Sequence, residues 1–232
     1  MKQYEAVIEV MRMNGGYATL GFLYREALKV PRVIWNTKTP FASIRRIVQD
    51  ERFFFKIRPG LWALKDYKDK LPFPVEVGSK ASQQAASQFS HSYFQGLLVE
   101  IGNLKGFETF VPNQDKNKKF LGKSLAEVAT LHHCYSFGYD RFVQRAKMVD
   151  VIWFNDRRMP SNFLEVEHST DIQDSLLKFF ELQDFYAEFR MVAPQSRQRE
   201  FLSKVAHNAF HPIAGRVKFW SYELVSELHA KT

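Results

Sequence analysis

Asn162-Phe-Leu-Glu-Val-Glu-His168 alternates apolar and acidic side chains, and Asp150 opens the apolar run Asp150-Val-Ile-Trp-Phe154 just upstream. In an extended strand successive side chains point to opposite faces, so Phe163, Glu165 and Glu167 share one face while Leu164, Val166 and His168 share the other. The run opened by Asp150 reads as a second, buried strand. Carboxylates packed this closely repel one another and resist burial, so a fold that keeps them together calls for a cation among them. Oxygen-only donors favour Mg²⁺ or Mn²⁺. The competing reading is an edge strand whose outward face carries glutamates. It accounts for Glu165 and Glu167 but not for an aspartate at the head of the preceding apolar run.

The 232 residues suffice for one sizeable domain or two small ones, and an apolar content of 45% is that of a folded chain. No run approaches the roughly 18 consecutive apolar residues of a membrane span, and Met1-Lys-Gln-Tyr-Glu5 lacks the apolar core of a secretory signal, so the expected location is cytoplasmic. A single cysteine, Cys134, excludes an intramolecular disulfide. His132-His133-Cys134 has no second Cys/His cluster at ligand spacing, and reads as part of a helix or its end rather than as a zinc site.

The net charge of +8 is concentrated at the front. Residues 1–68 hold 13 Lys+Arg against 6 Asp+Glu, leaving 20 against 19 for the rest. Such a surplus on a small domain is the footprint of a phosphate-backbone binder. Tyr4, Val7, Ile8 and Met11 form an apolar stripe closed by Asn14-Gly15-Gly16, and Thr19 can cap a second helix running to about Leu28. Thr39-Pro40 starts a third, with Phe41, Ile44, Ile47 and Val48 inward and Ser43, Arg45, Arg46 and Gln49 outward. Phe53-Phe-Phe-Lys-Ile57, the turn Arg58-Pro59-Gly60 and Leu61-Trp-Ala-Leu64 then form a hairpin with a basic tip. Helix, helix, helix and a two-stranded ribbon is a winged-helix order, with Lys38, Ser43, Arg45, Arg46, Gln49 and Arg58 as the expected DNA contacts.

Thr39-Pro-Phe-Ala-Ser-Ile-Arg-Arg-Ile-Val-Gln-Asp50 followed by Phe53-Phe-Phe-Lys-Ile-Arg-Pro-Gly-Leu-Trp-Ala-Leu64 resembles the HARE-HTH winged-helix family, which occurs fused to restriction endonucleases and in chromatin-associated factors. The resemblance covers roughly residues 1–68. Winged helices also serve as protein-interaction modules, the alternative that the charge surplus opposes. From Lys65 to about Ser90 the composition shifts to Lys, Pro, Ser, Gln and Ala, which reads as a linker over 69–89 whose Ala and Gln content can still support part of a helix.

Residues 90–232 alternate helix and strand and predict a mixed sheet flanked by helices, an α/β (α+β) core. The expected elements are a helix over Ser90–Leu104 with Phe94, Leu97, Leu98 and Ile101 inward, a strand over Phe107–Val111 and a helix over Leu125–His133. Strands over Val149–Phe154 and Asn162–His168, a helix over Asp171–Phe185 and a strand over Phe189–Ala193 come next. A helix near Arg197–Phe210, a strand over Val217–Trp220 and a terminal helix complete the chain.

This order, with Asp150 separated by fourteen residues from Glu165-Val166-Glu167, resembles the PD-(D/E)XK nuclease superfamily, and Val149-Asp-Val-Ile-Trp153 with Phe163-Leu-Glu-Val-Glu-His-Ser-Thr170 is similar to a bacterial restriction-endonuclease-like branch of it. The resemblance implies a restriction-endonuclease-like core in which Asp150 and Glu165 hold Mg²⁺. A bound Mg²⁺ activates water and offsets charge on the phosphate. Glu167 stands where the superfamily usually has a lysine, and as a carboxylate it would accept the proton of the attacking water or bind a second cation. Glu100 resembles the additional acid that many members place on the first helix. The loop Asn113-Gln-Asp-Lys-Asn-Lys-Lys119 offers amides and cations to a phosphate backbone.

The expected function is a Mg²⁺-dependent endodeoxyribonuclease of restriction type, acting on double-stranded DNA through a basic winged helix, with sensing of modified bases implied by the resemblance. The rivals are a catalytically silent nuclease fold acting as a DNA-binding regulator or sensor, and a protein-interaction module on a structural partner domain. Cutting both strands in one encounter would need a homodimer, for which the sequence carries no decisive interface signal.

Overall fold

Gly15 and Gly16 end the first helix of the chain, α1 (Gln3–Met13), by taking φ of +78° and +88°, a region closed to most side chains. A Cβ on Gly16 would also lie 2.2 Å from the Tyr67 ring. The computed structural model that shows this describes residues 1–31, 33–74 and 80–232, with side chains in the last stretch from residue 83 onward. Two compact units emerge, Met1–Ala86 with Ser226–Thr232, and Ser87–Val225.

In the first unit α1 is followed by β1 (Tyr17–Thr19), α2 (Leu20–Glu26), α3 (Pro40–Ile47), β2 (Phe54–Arg58) and β3 (Leu61–Leu64). The sheet is antiparallel and three-stranded in the order β1-β3-β2, rather than the expected two-stranded ribbon. Strand β1 has only three residues, too few to show a period of two. The Thr19 hydroxyl accepts from Phe22 N–H and caps α2 as expected. Thr39 does not cap α3 with its side chain, although Pro40 does occupy the first turn; instead Thr39 N–H donates to the Thr37 hydroxyl. Val7, Met11, Leu23, Ile44, Val48 and Phe54 form the core. Phe41, expected inward, is 50% exposed, because its place in the first turn of α3 carries it past this core to stack on Tyr24, ring centroids 4.6 Å apart.

Helix α4 (Lys80–Leu104) starts ten residues ahead of the expected helix, so residues 80–89 are helical where a linker was expected; Ala and Gln favour helix, and residues 75–79 of that linker lie outside the described residues. It leads into β4 (Glu108–Phe110), the small hairpin β5 (Lys119–Phe120) and β6 (Lys123–Ser124), α5 (Leu125–Val128), α6 (Asp140–Ala146), β7 (Val151–Phe154) and β8 (Pro160–Val166). Next come α7 (Ile172–Glu181), β9 (Glu188–Ala193), α8 (Gln198–Val205), α9 (His211–Ala214), β10 (Val217–Ser221) and α10 (Tyr222–Lys231). The five-stranded sheet has the order β10-β9-β8-β7-β4, antiparallel from β4 to β8 and parallel from β8 to β10. It is the mixed α/β architecture that the alternation of elements implies. No helix among the described residues is long and apolar enough to cross a membrane.

The helix expected over Leu125–His133 stops at Val128. Beyond it Thr109 N–H donates to the Thr130 hydroxyl at 2.7 Å and Leu131 N–H to Thr109 O at 3.0 Å, so extended chain lies along the outer side of β4 and satisfies an otherwise unpaired edge. On the sheet face beneath α7, Ile152, Phe154, Phe163, Leu176, Phe179 and Phe189 pack in one hydrophobic core. The rise from β8 through α7 to β9 is a parallel crossover, and it fixes which side chains of α7 lie over the acids of β8.

Candidate active site

Strand β8 is interior to the sheet, between β7 and β9, which overturns the edge-strand reading of its glutamates. Asp150 immediately precedes β7, whose first residue Val151 pairs with Leu164, the neighbour of Glu165, and the Asp150 charge acts on Glu165. Asp150 Oδ2 accepts from Val166 N–H at 2.8 Å, which pins the carboxylate across the two strands. The sequence reading of two acids on neighbouring strands therefore corresponds to two neighbouring side chains at one end of the sheet.

Two helices close over this pair with residues the sequence reading missed. From α7, Lys178 Nζ lies 2.8 Å from Glu165 Oε1 and 2.9 Å from Oε2, and also donates to Met148 O at 3.2 Å. The Ser175 hydroxyl donates to Glu167 Oε1 and lies 3.3 Å from Glu165 Oε2. Thr170 donates to the other oxygen of Glu167. From α4, His91 Nε2 lies 3.2 Å from Asp150 Oδ2, while Gln95 donates to Asp150 O at 2.8 Å and to Asp115 Oδ2 at 2.9 Å. His91 and Gln95 are spaced i, i+4 on one helix face and Ser175 and Lys178 i, i+3 on another, the spacings that bring side chains together. A titratable or amide pair at such spacing is the signal that was present for them.

Glu165 is 1% and Glu167 5% exposed. Burial, together with the charge of Asp150, drives the pKa of Glu165 well above the usual glutamate range, and Lys178 only partly offsets this. Burial also raises Glu167, against the hydroxyls of Ser175 and Thr170. Burial acts the same way on Asp150, but the hydrogen bond and charge of His91, with Val166 N–H and Lys178, outweigh it and hold its pKa below the ordinary value. Burial would lower His91 and Lys178; their carboxylate partners, Asp150 and Glu165, more than reverse that, and both pKa values rise.

Among the described residues no three His, Cys, Asp or Glu side chains are grouped to hold an ion. Asp150 and Glu165 nevertheless supply two neighbouring carboxylates, and Mg²⁺ commonly uses one or two carboxylates and keeps several waters. The donor chemistry fits, since a cation between them would relieve the repulsion that raises Glu165. Glu100 does not join them: it follows His91 by nine residues, about two and a half turns, which carries it to the far side of α4 from His91 and Gln95. His132, His133 and Cys134 lie in irregular chain after α5, and burial pushes the Cys134 thiol up to about 11, away from the thiolate a zinc site needs.

In the first unit Lys38, Arg45, Arg46 and Gln49 are exposed and Ser43 is half-buried. Arg45, Arg46 and Gln49 line a groove of 540 Å³ with Tyr24, Arg25 and Phe41, and Arg45 Nε lies 3.3 Å from the Tyr24 hydroxyl. Arg58, expected at a basic tip, instead donates to Ile57 O at 2.7 Å and to Ala86 O at 3.2 Å.

Residues 70–232 match the family described as type II restriction enzyme NmeDI C-terminal domain. The type II restriction enzyme NmeDI of Neisseria meningitidis serogroup C is 28% identical over 152 residues, covering 60% of this chain and 42% of that protein. The match thus spans less than half the length of the curated relative. No solved structure matches the chain.

Proposed function

We propose, given that the chain belongs to the NmeDI C-terminal-domain family of type II restriction enzymes, that its second unit is a PD-(D/E)XK endonuclease hydrolysing phosphodiester bonds of double-stranded DNA with Mg²⁺ or Mn²⁺. The first unit is read as a winged helix that holds the duplex through Lys38, Ser43, Arg45, Arg46 and Gln49. The observation that carries the nuclease reading is the pair of neighbouring carboxylates, Asp150 at the head of β7 and Glu165 on the adjacent β8, with the Lys178 ammonium against Glu165.

Asp150 and Glu165 would hold the cation, which when bound activates water and offsets charge on the phosphoryl oxygens. Asp150 is suited to this because His91 and Val166 N–H keep it ionised. Lys178 brings a positive charge to the centre although Glu167 occupies the usual lysine position, and its ammonium is placed to orient the attacking water and to meet charge developing on the phosphate. Glu167, fixed by Ser175 and Thr170 and with its proton affinity raised by burial, takes the proton that water gives up.

The rival reading, a DNA-binding regulator without cleavage, draws on one feature. Internal donors already engage the oxygens of Glu165 and Glu167, so a cation must compete with Lys178. Incubating the protein with unmodified and base-modified plasmid DNA, with and without Mg²⁺, decides between them. Cutting that requires Mg²⁺ and disappears in Asp150→Ala supports the nuclease, and a preference between the two plasmids supports modification sensing. Tight DNA binding with no cutting of either plasmid overturns the nuclease reading. Simultaneous cutting of both strands would require two copies of the chain.

A further inference from the structure

A cavity of 380 Å³ adjoins the acidic centre, lined by Asn113, Gln114, His133, Gln144, Lys147 and Met148 over a floor that includes the buried Phe110. Two of its lining residues are linked to the centre through the chain and its hydrogen bonds. Met148, whose carbonyl accepts from Lys178, lies two residues before Asp150. Gln114 precedes Asp115, which accepts from the same Gln95 amide that donates to Asp150 O. Asn113, Gln114 and Gln144 are exposed, and none of their carboxamides is bonded to another group among the described residues.

A carboxamide presents a donor and an acceptor side by side, which a phosphate cannot use in full because it only accepts. A base edge can, and asparagine or glutamine paired in two-point fashion with adenine is the standard case. No acid lines the cavity, and Lys147 and His133 make its rim compatible with a polyanion. Its volume is near the lower end of the roughly 300–1,000 Å³ of small-ligand sites, enough for the edge of one base and too small for a duplex.

We propose that this cavity is a base-reading subsite, in which Asn113, Gln114 and Gln144 recognise a nucleobase, adenine by preference, in the DNA beside the phosphate presented to Asp150 and Glu165. The inference rests on the nuclease reading above. Its test sets the wild-type chain and an Asn113→Ala/Gln144→Ala variant on a randomised duplex pool with Mg²⁺, and the cut ends are sequenced. Both side chains are exposed and unbonded, so an unchanged melting temperature checks that the variant is folded. The expected result is that wild-type ends share a base preference near the cut and that the variant loses about tenfold or more of it at one position. Identical preferences in the two proteins, or wild-type ends with none, overturn the subsite and leave the nuclease reading standing. A wild-type protein that cuts nothing overturns that reading and the subsite with it.

Discussion

Lys178 Nζ sits within 2.9 Å of both carboxylate oxygens of Glu165, and this one ammonium from α7 is the nearest compensation for a glutamate that is almost completely buried. The resemblance to the nuclease superfamily would place such a charge at residue 167. The chain instead has a second glutamate there, and the crossover helix supplies the cation from the side. Two neighbouring carboxylates, one at the head of β7 and one on β8, are in this way held together by one lysine, one histidine and a hydroxyl.

Lys178→Met removes that compensation and leaves a buried, unpaired acid. The expected loss is about 3–5 kcal/mol of unfolding free energy in urea, the range for breaking a buried ion pair from one side. Lys178→Met/Glu165→Gln should recover most of it, because neither partner then carries an unmatched charge. A single variant losing less than about 1 kcal/mol would show that the pair contributes little net stability.

The pH dependence of stability follows from the same cluster, measured in EDTA. Glu165 is raised in the folded state, so its contribution is full below the ordinary glutamate value of 4.5 and is lost as pH rises through the folded pKa. His91, raised above 6.5, behaves alike at higher pH: the stability from its pairing with Asp150 fades as pH climbs beyond 6.5. Asp150 is lowered, so its contribution is present above 3.8 and is lost on acidification below that value. The melting temperature is therefore expected to decline as pH rises above the ordinary glutamate value of 4.5 and on beyond 6.5. Glu165→Gln should flatten that decline; a variant as steep as the wild type would remove Glu165 from the explanation.

Added Mg²⁺ should reverse the decline if Asp150 and Glu165 take the ion. Binding to the folded state alone at a hundredfold excess over Kd contributes about 2.7 kcal/mol, or roughly 5–10 °C in melting temperature for a protein of this size. Calorimetry with Mg²⁺ and with Ca²⁺ on the wild type and on Asp150→Ala checks this. Equal shifts in the two proteins would mean that the ion binds elsewhere.

How much of this was legible in sequence depends on how each residue declares its direction. Glu165 and Asp150 did so because a period of two in an apolar run fixes both face and partner strand. Lys178 did not: on the amphipathic helix that carries Ile172, Leu176 and Phe179 it reads as an ordinary solvent-facing lysine, and only the packing of the crossover swings it over β8. Glu100 shows the converse. An acid on a helix carries no bearing until the helix has a known phase, and His91, Gln95 and the Trp153 indole donating to Leu98 O set that phase against it. Phe41 has the right spacing for the core, but a helix of eight residues is short enough for its first turn to overhang.

The basic face of the first unit separates two kinds of arginine. Arg45 and Arg46 are exposed on α3, and if they meet phosphates their replacement by alanine should weaken DNA binding uniformly across sequences. Each phosphate contact releases about 0.9 of a counterion, so the double variant should lower the slope of log K against log salt by about 2. Arg58 was grouped with them in sequence because it sits at a turn, yet its guanidinium is spent on the carbonyls of Ile57 and Ala86. Arg58→Ala should therefore leave the salt slope unchanged and instead lower the melting temperature, since two carbonyls lose a charged donor. Fluorescence anisotropy on one duplex across a salt series, with melts of the same preparations, distinguishes the two. A slope that falls in Arg58→Ala and holds in Arg45→Ala/Arg46→Ala would move the DNA contact from α3 to the β2–β3 turn.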